Sequence, residues 1–384
     1  MRRNHLLVMA SARQRKMTFL ASNQPSMEIH VDNRNLTNSL FLVLTVALLS
    51  ACGNSNNEPS GDAEPLFTGV NFIGVSVSNL DRSVDLYNSA ADLQPLATTA
   101  TLEGAFLDKF TGRASASAQT QLMRSVNAQL LFMEFADSSL ADKPVEQMPV
   151  YGPGIAHVCY QVNEETQSYQ HFLEGGATHI GDPNMVQLNP KNPVTYAYAR
   201  DPDGMIIEIE HVDIDALNLP EPPENDYRIR HVSLATPDMD RLVDFYSILL
   251  GQHDPRRAGT FFKLKGDKLE GVSGLPGSKI EMAWFQFRNL ELELIQYHSH
   301  PTERPTPARP LDALGYNMIV LDTTNIDEAR ERFIKAGGEI VSDVETALGG
   351  VVVFGRDPDG NLIGMQVVEQ THPLSSQNFT GNGT

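Results

Sequence analysis

The chain contains little cysteine, almost no tryptophan and no long hydrophobic run. Its 384 residues include two cysteines, Cys52 and Cys159, and a single tryptophan. Two cysteines cannot form a disulfide framework, and a modified Cys52 would leave Cys159 without a partner in the chain. The apolar run near the N-terminus, residues 40–49, is too short to span a bilayer as a helix. These features argue against a disulfide-linked scaffold and against a membrane-spanning protein.

Basic residues are also scarce. There are 29 Lys and Arg against 48 Asp and Glu, which gives a formal net charge of −19. Such a surface repels nucleic acid and anionic lipid head groups, and the sequence has no phosphate-cradling glycine loop and no dinucleotide-binding fingerprint. A hydrophobic content of 41% is enough for two domains of ordinary size. We expect a monomer that acts on a small-molecule substrate and has no nucleic-acid partner.

The N-terminal region has the features of an exported protein. Residues 40–49 have the length of a signal-peptide core. The sequence Leu49-Ser50-Ala51-Cys52 that follows is similar to the cleavage box of bacterial lipoproteins, in which Cys52 would be lipidated. We therefore expect residues 1–51 to be a leader and 52–67 a tether. The protein would then lie at the bacterial cell envelope, outside the cytoplasm, and contact the membrane through the lipid anchor alone. An ordinary signal peptide is the alternative.

Four stretches of the remaining chain share one pattern. In residues 72–87 and 229–246, an alternating strand is followed by a helix that carries Asp-Arg five residues before a tyrosine. The second and fourth stretches have a Gly-Gly pair at 175–176 and 337–338, which is typical of a helix end. Both then contain Arg-Asp-Pro-Asp-Gly, which predicts a hairpin before the last strand. The pattern predicts four β-α-β-β-β units, at residues 68–137, 153–212, 228–299 and 313–370, and a frayed tail at 371–384.

These motifs resemble those of the vicinal oxygen chelate superfamily, which includes glyoxalase I, extradiol dioxygenases and the bleomycin resistance proteins. The resemblance covers nearly everything from Val70 to Gln370 and implies an α+β fold, in which βαβββ units pair into half-closed barrels. In that family, metal ligands come from the first and last strands of a unit. The family also spans isomerases, lyases, oxygenases and binding proteins, so the fold does not define the reaction.

Only two of the units carry candidate ligands at both positions. The second unit has His157 and Glu208, the third has His231 and Glu293, the first has Gly74 and Leu131, and the fourth has Asn317 and Gly364. Pairing units two and three would collect all four candidates in one barrel. Pairing one with two and three with four would give each barrel one histidine and one glutamate. We favour the first arrangement, with one divalent ion (Zn, Ni, Co, Mn or Fe).

Neighbouring residues compete for the same roles. Glu210 and Glu291 lie two residues from the chosen glutamates and share their face of the strand. We prefer Glu208 because it lies four residues after Gly204 of the hairpin, and Glu293 because it lies within a Leu-Glu-Leu sequence typical of the family. Strand alternation adds further candidates for the pocket wall: Cys159, Tyr196, Tyr198, Ser233 and Gln286. His298 and His300 follow the last strand of unit three and are candidates for its mouth.

Three functions are compatible with these residues. Two imidazoles and two carboxylates would leave two positions of an octahedral ion open to adjacent oxygens of a substrate. The resemblance then implies a glyoxalase-type isomerase or lyase, with Glu208 or Glu293 as the catalytic base. A non-catalytic binding lipoprotein of the same fold is the first alternative. An extradiol-type dioxygenase is the second, although such enzymes resemble a site with two histidines and one carboxylate.

Overall fold

The computed structural model describes residues 65–96, 99–136, 148–216 and 226–379. The predicted leader, Cys52 and the end of the tail lie outside the described residues. The strands of the first half are β1 (Phe67–Ser76), β2 (Gln94–Pro95), β3 (Ala100–Glu103), β4 (Ser117–Arg124), β5 (Gln129–Phe135), β6 (Gly154–Asn163), β7 (Thr178–Ile180), β8 (Val194–Arg200) and β9 (Ile206–Val212). Those of the second half are β10 (Tyr227–Ala235), β11 (Arg256–Ala258), β12 (Ile280–Gln286), β13 (Glu291–Tyr297), β14 (Gly315–Thr323), β15 (Glu339–Ile340), β16 (Glu345–Ala347), β17 (Gly350–Arg356) and β18 (Leu362–Val367).

Six α-helices connect these strands within the described part of the chain. They are α1 (Leu80–Ala91), α2 (Ala105–Thr111), α3 (Ser168–Glu174), α4 (Met239–Leu250), α5 (Asp267–Ser273) and α6 (Ile326–Lys335). The short helices α2 and α5 are additions to the predicted β-α-β-β-β pattern. No described helix is long and apolar enough to cross a membrane.

The strands form two mixed sheets, which confirms the predicted α+β class. Sheet 1 has the order β15-β17-β18-β14-β1-β5-β4-β2, with β16 and β3 beside this path. Sheet 2 has the order β11-β12-β13-β10-β6-β9-β8-β7. Strands from the second and third predicted units therefore share sheet 2, and those from the first and fourth share sheet 1. This is the arrangement that the distribution of candidate ligands favoured.

Each sheet separates two apolar layers. One face of each sheet packs against α1, α3, α4 and α6 in a common core, which includes Tyr87, Phe172, Phe245 and Phe333. We call the opposite face of each sheet its cup. The cup of sheet 1 contains its own apolar cluster around Phe72. The cup of sheet 2 contains a different cluster, with aromatic residues from β8 and β13. Outside the bulges, alternation along each strand thus directs side chains in turn to the helix face and to the cup.

The two strands at the centre of each sheet, β1 and β14 in sheet 1 and β6 and β10 in sheet 2, contain bulges at corresponding positions. These bulges interrupt the alternation. In the pairing of β6 with β10, Ala156 and Arg230 are extra residues, each immediately before a candidate histidine. In the pairing of β1 with β14, Asn71 and Asn317 are the corresponding extra residues. A bulged residue does not follow the two-residue period, so its direction cannot be read from the sequence.

Local signals in the sequence explain where helices and hairpins begin and end. Asn79 accepts a hydrogen bond from the backbone of Arg82 at the start of α1, as expected of a helix cap. Gly176 and Gly337 adopt positive φ angles of 101° and 102° after α3 and α6, which confirms the predicted glycine ends. The predicted hairpins join β8 to β9 and β17 to β18.

The two hairpins also join the sheets to one another. In the first, Asp203 accepts a hydrogen bond from Ser78 and forms an ion pair of 2.5 Å with Arg82 of α1. In the second, Asp359 forms the corresponding pair with Arg241 of α4. The Asp-Arg motif of the first and third units is therefore a partner of the Asp-Pro-Asp-Gly motif of the second and fourth.

Candidate metal centre

Four side chains converge at the centre of the sheet 2 cup. The Nε2 atoms of His157 and His231 lie 3.2 Å apart. One carboxylate oxygen of Glu208 lies 3.0 Å from the first nitrogen and 2.9 Å from the second. One oxygen of Glu293 lies 3.4 Å and 3.5 Å from the same two nitrogens. The two central strands supply the histidines, and their parallel neighbours β9 and β13 supply the glutamates.

The donor atoms fit a single divalent ion. Ligands about 2.1 Å from an ion lie about 3 Å apart when they are adjacent in an octahedron, which matches the shortest of these separations. His157, Glu208 and His231 offer atoms that all lie within 4.8 Å of one another. Glu293 is outside that set but approaches both imidazole nitrogens. Imidazole and carboxylate together suit Zn, Mn, Fe, Co and Ni, so the donor set does not select one metal.

Without an ion, a proton has to hold these groups together. Burial opposes the charging of His157, but hydrogen bonds and charge interactions with Glu208 and Glu293 outweigh it and raise the pKa of this histidine to about 9. Burial alone would raise the pKa of both glutamates, but the two histidines hold the pKa of each carboxyl below its usual range. The metal-free cluster therefore carries ionised carboxylates around a protonated imidazole at neutral pH.

The cluster is shielded from solvent. The exposed fractions are 1% for His157, 3% for His231, 4% for Glu293 and 8% for Glu208. Apolar residues of α5 and of the segment 180–188 pack in the same cluster as Tyr196 and Tyr198 and cover the cup. These two covering segments meet closely, since the backbone of Asp182 donates to the carbonyl of Gly271 at 2.7 Å.

The rival carboxylates have a different environment. Glu210 accepts a contact of 2.5 Å from Arg230 and a hydrogen bond of 2.6 Å from Gln161. Glu291 contacts Arg256 at 2.8 Å and Arg230 at 3.5 Å. Both carboxylates are therefore neutralised by arginines. This difference supports the preference for Glu208 and Glu293 as ligands.

The pocket candidates divide into two groups. Tyr198 lies opposite Glu208 in the β8–β9 pair, and its ring centroid is 5.1 Å from that of His157. Tyr196 lies opposite Glu210, and Ser233 lies opposite Glu293 with its hydroxyl buried and unpaired among the described residues. Gln286 is not brought to the cluster. It lies exposed at the end of β12 and donates to the carbonyl of Phe287.

The two mouth histidines lie away from the four donors, whereas the sulfur of Cys159 and carboxylate oxygens of Glu208 and Glu210 lie within 4.8 Å of one another. Cys159 faces the cup opposite Glu208, but burial raises the pKa of its thiol, which favours the protonated and unreactive form. His298 contacts Glu281 at 3.2 Å, and His300 stacks on Tyr151 with a centroid distance of 5.5 Å. We assign no ligand role to these three residues.

Sequence reasoning missed several residues of the cup. Trp284 lies opposite Glu293 in β12, and Tyr297 faces the same cup four residues after Glu293. Alternation along β12 and β13 was sufficient to find both. Arg230 could not be found in this way, because it occupies a bulge. Arg256 could not be found either, because β11 has only three residues and no clear pattern.

The register of sheet 1 changes which residues of the first and fourth units correspond to the two candidate histidines. In sheet 2, Cys159 lies opposite Glu208 and Ser233 lies opposite Glu293. Each of these two residues follows the candidate histidine of its own strand by two positions. In sheet 1, Gly74 lies opposite Leu131 and Val320 lies opposite Gly364. The histidine positions therefore correspond to Phe72 and Met318, and the choice of Gly74 and Asn317 is wrong. The bulge at Asn317 shifts that strand by one residue, and in β1 the histidine position is held by an apolar residue, Phe72, which does not mark it.

Apolar side chains occupy the cup of sheet 1. A Cβ atom on Gly74 would lie 2.5 Å from the Cγ of Met318, and one on Gly364 would lie 2.9 Å from the Phe354 ring. The glycines therefore make room for large neighbours. Leu131 completes this group within the apolar cluster. In the described part of the chain, all groups of possible metal ligands lie in sheet 2.

Comparisons with known proteins agree with this architecture. Residues 228–374 match the model of the Glyoxalase/Bleomycin resistance protein/Dioxygenase superfamily. This stretch is therefore similar to the domains of that superfamily. No curated protein matches the chain.

Solved structures extend the likeness to both sheets. Glyoxalase I from Zea mays is similar at 18% identity and a TM-score of 0.52, with 78% of this chain and 92% of that chain covered. A putative dioxygenase from Bacillus subtilis is similar at 13% identity and a TM-score of 0.50, with 83% and 92% covered. A structural likeness at such low identity shows the fold alone. The likeness to these two structures confirms the vicinal oxygen chelate fold.

Proposed function

We propose that this protein is a metal-dependent isomerase or lyase of the glyoxalase type, acting on a small substrate that binds through adjacent oxygens. The observation that supports this proposal most directly is the convergence of two imidazoles and two carboxylates on one buried point. A divalent ion held there would polarise a carbonyl oxygen and make the neighbouring C–H more acidic. The protein would supply the ligands, exclude water and move the proton.

The two carboxylates suit different roles. The oxygen of Glu208 lies 2.9 Å and 3.0 Å from the imidazole nitrogens, whereas that of Glu293 lies 3.4 Å and 3.5 Å from them. The weaker contacts of Glu293 favour it as the group that moves toward substrate. It would take the proton from the hydroxyl-bearing substrate carbon and return it to the adjacent carbonyl carbon, while the hydroxyl proton passes to the other oxygen, so that no oxidant or reductant is consumed. Glu208 would remain in place as a ligand.

The fourth donor weighs against an oxygenase. A site with two histidines and one carboxylate keeps three positions open for oxygen chemistry, whereas this cup offers a second carboxylate. The deep burial of the cluster supports a second candidate, a protein that binds and sequesters a ligand without turning it over. These two candidates are separated by whether the substrate C–H exchanges with solvent.

The decisive experiment is deuterium exchange in D₂O with metal-loaded protein. The substrates are hemithioacetals of 2-oxo aldehydes and α-hydroxy ketones, and loss of the C–H signal is followed by NMR. Glu293→Gln should reduce exchange by roughly 10²–10⁴-fold, because an amide can accept hydrogen bonds but cannot take a proton. Glu208→Gln is the matched variant and should weaken metal binding more than Glu293→Gln does. Oxygen uptake with catechols would instead identify a dioxygenase, and binding without exchange would identify the sequestering protein.

A further inference from the structure

A charged cluster lies beside the four donors on the same cup face. The bulge before His231 adds the side chain of Arg230 to this face, whereas the corresponding bulge before His157 carries only Ala156. Arg230 contacts Glu210 at 2.5 Å and Glu291 at 3.5 Å. The two halves of the cup therefore differ in charge, although their strands are related by the same pattern.

Two more arginines complete the cluster. Arg256 contacts Glu291 at 2.8 Å, and its guanidinium lies 4.1 Å from the centroid of the Trp284 ring, which fixes its plane. Arg228 donates to the side-chain oxygen of Gln161 at 2.8 Å. Within the described residues, no carboxylate lies within 4.0 Å of Arg228. Its described side-chain partner is a neutral amide.

The cluster contains an excess of positive charge. Arg230 and Arg256 contact the two carboxylates of Glu210 and Glu291, and the third guanidinium group, that of Arg228, contacts neither. A half-buried cation without an ionic partner attracts an anion, so this position favours an anionic group of a ligand. Guanidinium groups also match the planar geometry of a carboxylate. The opposite end of the cup is aromatic and aliphatic, with Tyr198, Ile295 and Tyr297.

We infer that Arg228 and its neighbours Arg230 and Arg256 form a subsite for a carboxylate group of the substrate. This inference rests on the proposed function and specifies its substrate class. Glu210 and Glu291 each lie two residues from a metal-ligand candidate on the same strand face, a separation of roughly 7 Å. The substrate therefore has adjacent oxygens at the four donors and a separate carboxylate several bonds away.

A pair of matched probes tests the subsite directly. 2-Oxoglutarate and 2-oxopentanoate have the same carbon chain and the same adjacent oxygens, but only the first has a distal carboxylate. We expect Zn²⁺-loaded protein to bind 2-oxoglutarate at least about tenfold more tightly, as measured by calorimetry, since a charge-assisted hydrogen bond favours the dianion. Equal affinities for the two acids would overturn the inference without the need for any variant.

Arg228 is the residue to change, because its loss leaves no buried carboxylate without a partner. In Arg228→Gln the preference for 2-oxoglutarate should fall to about twofold or less, while Zn²⁺ affinity stays within about threefold of the original. Arg332→Gln, on the exposed side of α6, is the control and should keep the preference. A preference that survives Arg228→Gln would count against the subsite.

The outcomes also separate this inference from the proposed function. If the protein takes up no ion but the metal-free form still prefers 2-oxoglutarate in an Arg228-dependent way, the subsite stands and the metal-dependent reaction fails. If metal binds and C–H exchange occurs without any preference between the two acids, the reaction stands and the subsite fails.

Discussion

The Nε2 atoms of His157 and His231 lie 3.2 Å apart, although 74 residues separate the two histidines in the chain. Two imidazole nitrogens at this distance require a proton or a metal ion between them, because their lone pairs otherwise repel. The carboxylate of Glu208 contacts both nitrogens and reinforces this requirement.

Metal should bind at one equivalent per chain. His157→Ala and Glu293→Ala should each weaken binding by more than about 100-fold, because the loss of an outer-shell partner alone typically costs 10–100-fold. Metal content after dialysis, measured by mass spectrometry, and titration calorimetry provide the measurements. His298→Ala is the matched control, since His298 contacts Glu281 and not the cluster. Two equivalents of tightly bound metal, or normal binding in His157→Ala, would show that the cluster is not the site.

Metal binding should release a proton. The pKa of His157, raised to about 9 by its glutamate neighbours, means that the metal-free site is protonated at pH 7. An ion needs the unprotonated nitrogen, so apparent affinity should rise about tenfold per pH unit up to roughly pH 9 and then level off. Calorimetry in two buffers of different ionisation enthalpy should report about one proton released at pH 7. A value near zero would indicate that the histidines are already unprotonated.

The sequence predicted those parts of the fold that depend on local patterns. Strand alternation identified the inward positions of His157 and His231, and the glycine and Asp-Pro-Asp-Gly motifs marked helix ends and hairpins. The distribution of candidate ligands among the units also favoured the observed pairing of strands in sheet 2. What could not be predicted depends on register and on distant contacts. The bulge in β14 moves Asn317 away from its expected position, and the bulge in β10 directs Arg230 into the cup.

The covering of the site was also beyond sequence reasoning. Residues of α5 reach the cup only because the segment between β11 and β12 folds back over it. The close approach of residue 271 to residue 182 joins two segments that are far apart in sequence. Likewise, Glu210 and Glu291 were reasonable ligand candidates by alternation. They are distinguished from Glu208 and Glu293 only by the arginines that contact them in space.

Asp201→Asn should stabilise the protein at alkaline pH. Burial and the nearby carboxylate of Asp203 raise the pKa of Asp201 to about 7, despite opposing hydrogen bonds from Met205 and Tyr87. The folded pKa lies above the unfolded value, so the stabilising contribution of this carboxyl is complete below about pH 4 and is lost as pH rises through 7. Urea unfolding should show that Asp201→Asn is the more stable form at pH 8, by on the order of 1–3 kcal/mol.

Asp357→Asn is the informative comparison, because it lies at the corresponding turn. There the side-chain amide of Asn361 donates to Asp357 at 2.8 Å, and burial raises the pKa of this carboxyl only to about 6. An amide at position 357 would place two donors against each other, so this variant should lose stability at every pH. Identical pH profiles for the two variants would contradict this explanation.

We propose that Cys52 anchors the mature protein to a membrane, because the apolar run ends in Leu49-Ser50-Ala51-Cys52 and a polar segment follows. Cys52→Ser should give soluble or uncleaved protein in a bacterial host, since the sulfur is the site of acylation. Incorporation of labelled fatty acid and membrane fractionation are the measurements. Cys159→Ser is the matched control and should remain in the membrane fraction. An original chain that never incorporates the label would exclude the lipoprotein assignment.

Met318→Ala should destabilise the fold without affecting the metal site. Met318 is buried in the cup of sheet 1 and fills the space that the absent side chain of Gly74 leaves free. Truncation there should create a cavity and reduce the free energy of unfolding by about 2–5 kcal/mol, the usual range for a buried methionine. Thermal or urea unfolding measures the loss, and calorimetry should still report one equivalent of metal with unchanged affinity. A loss of metal binding in folded Met318→Ala protein would mean that sheet 1 contributes to the site, contrary to the assignment of all four donors to sheet 2.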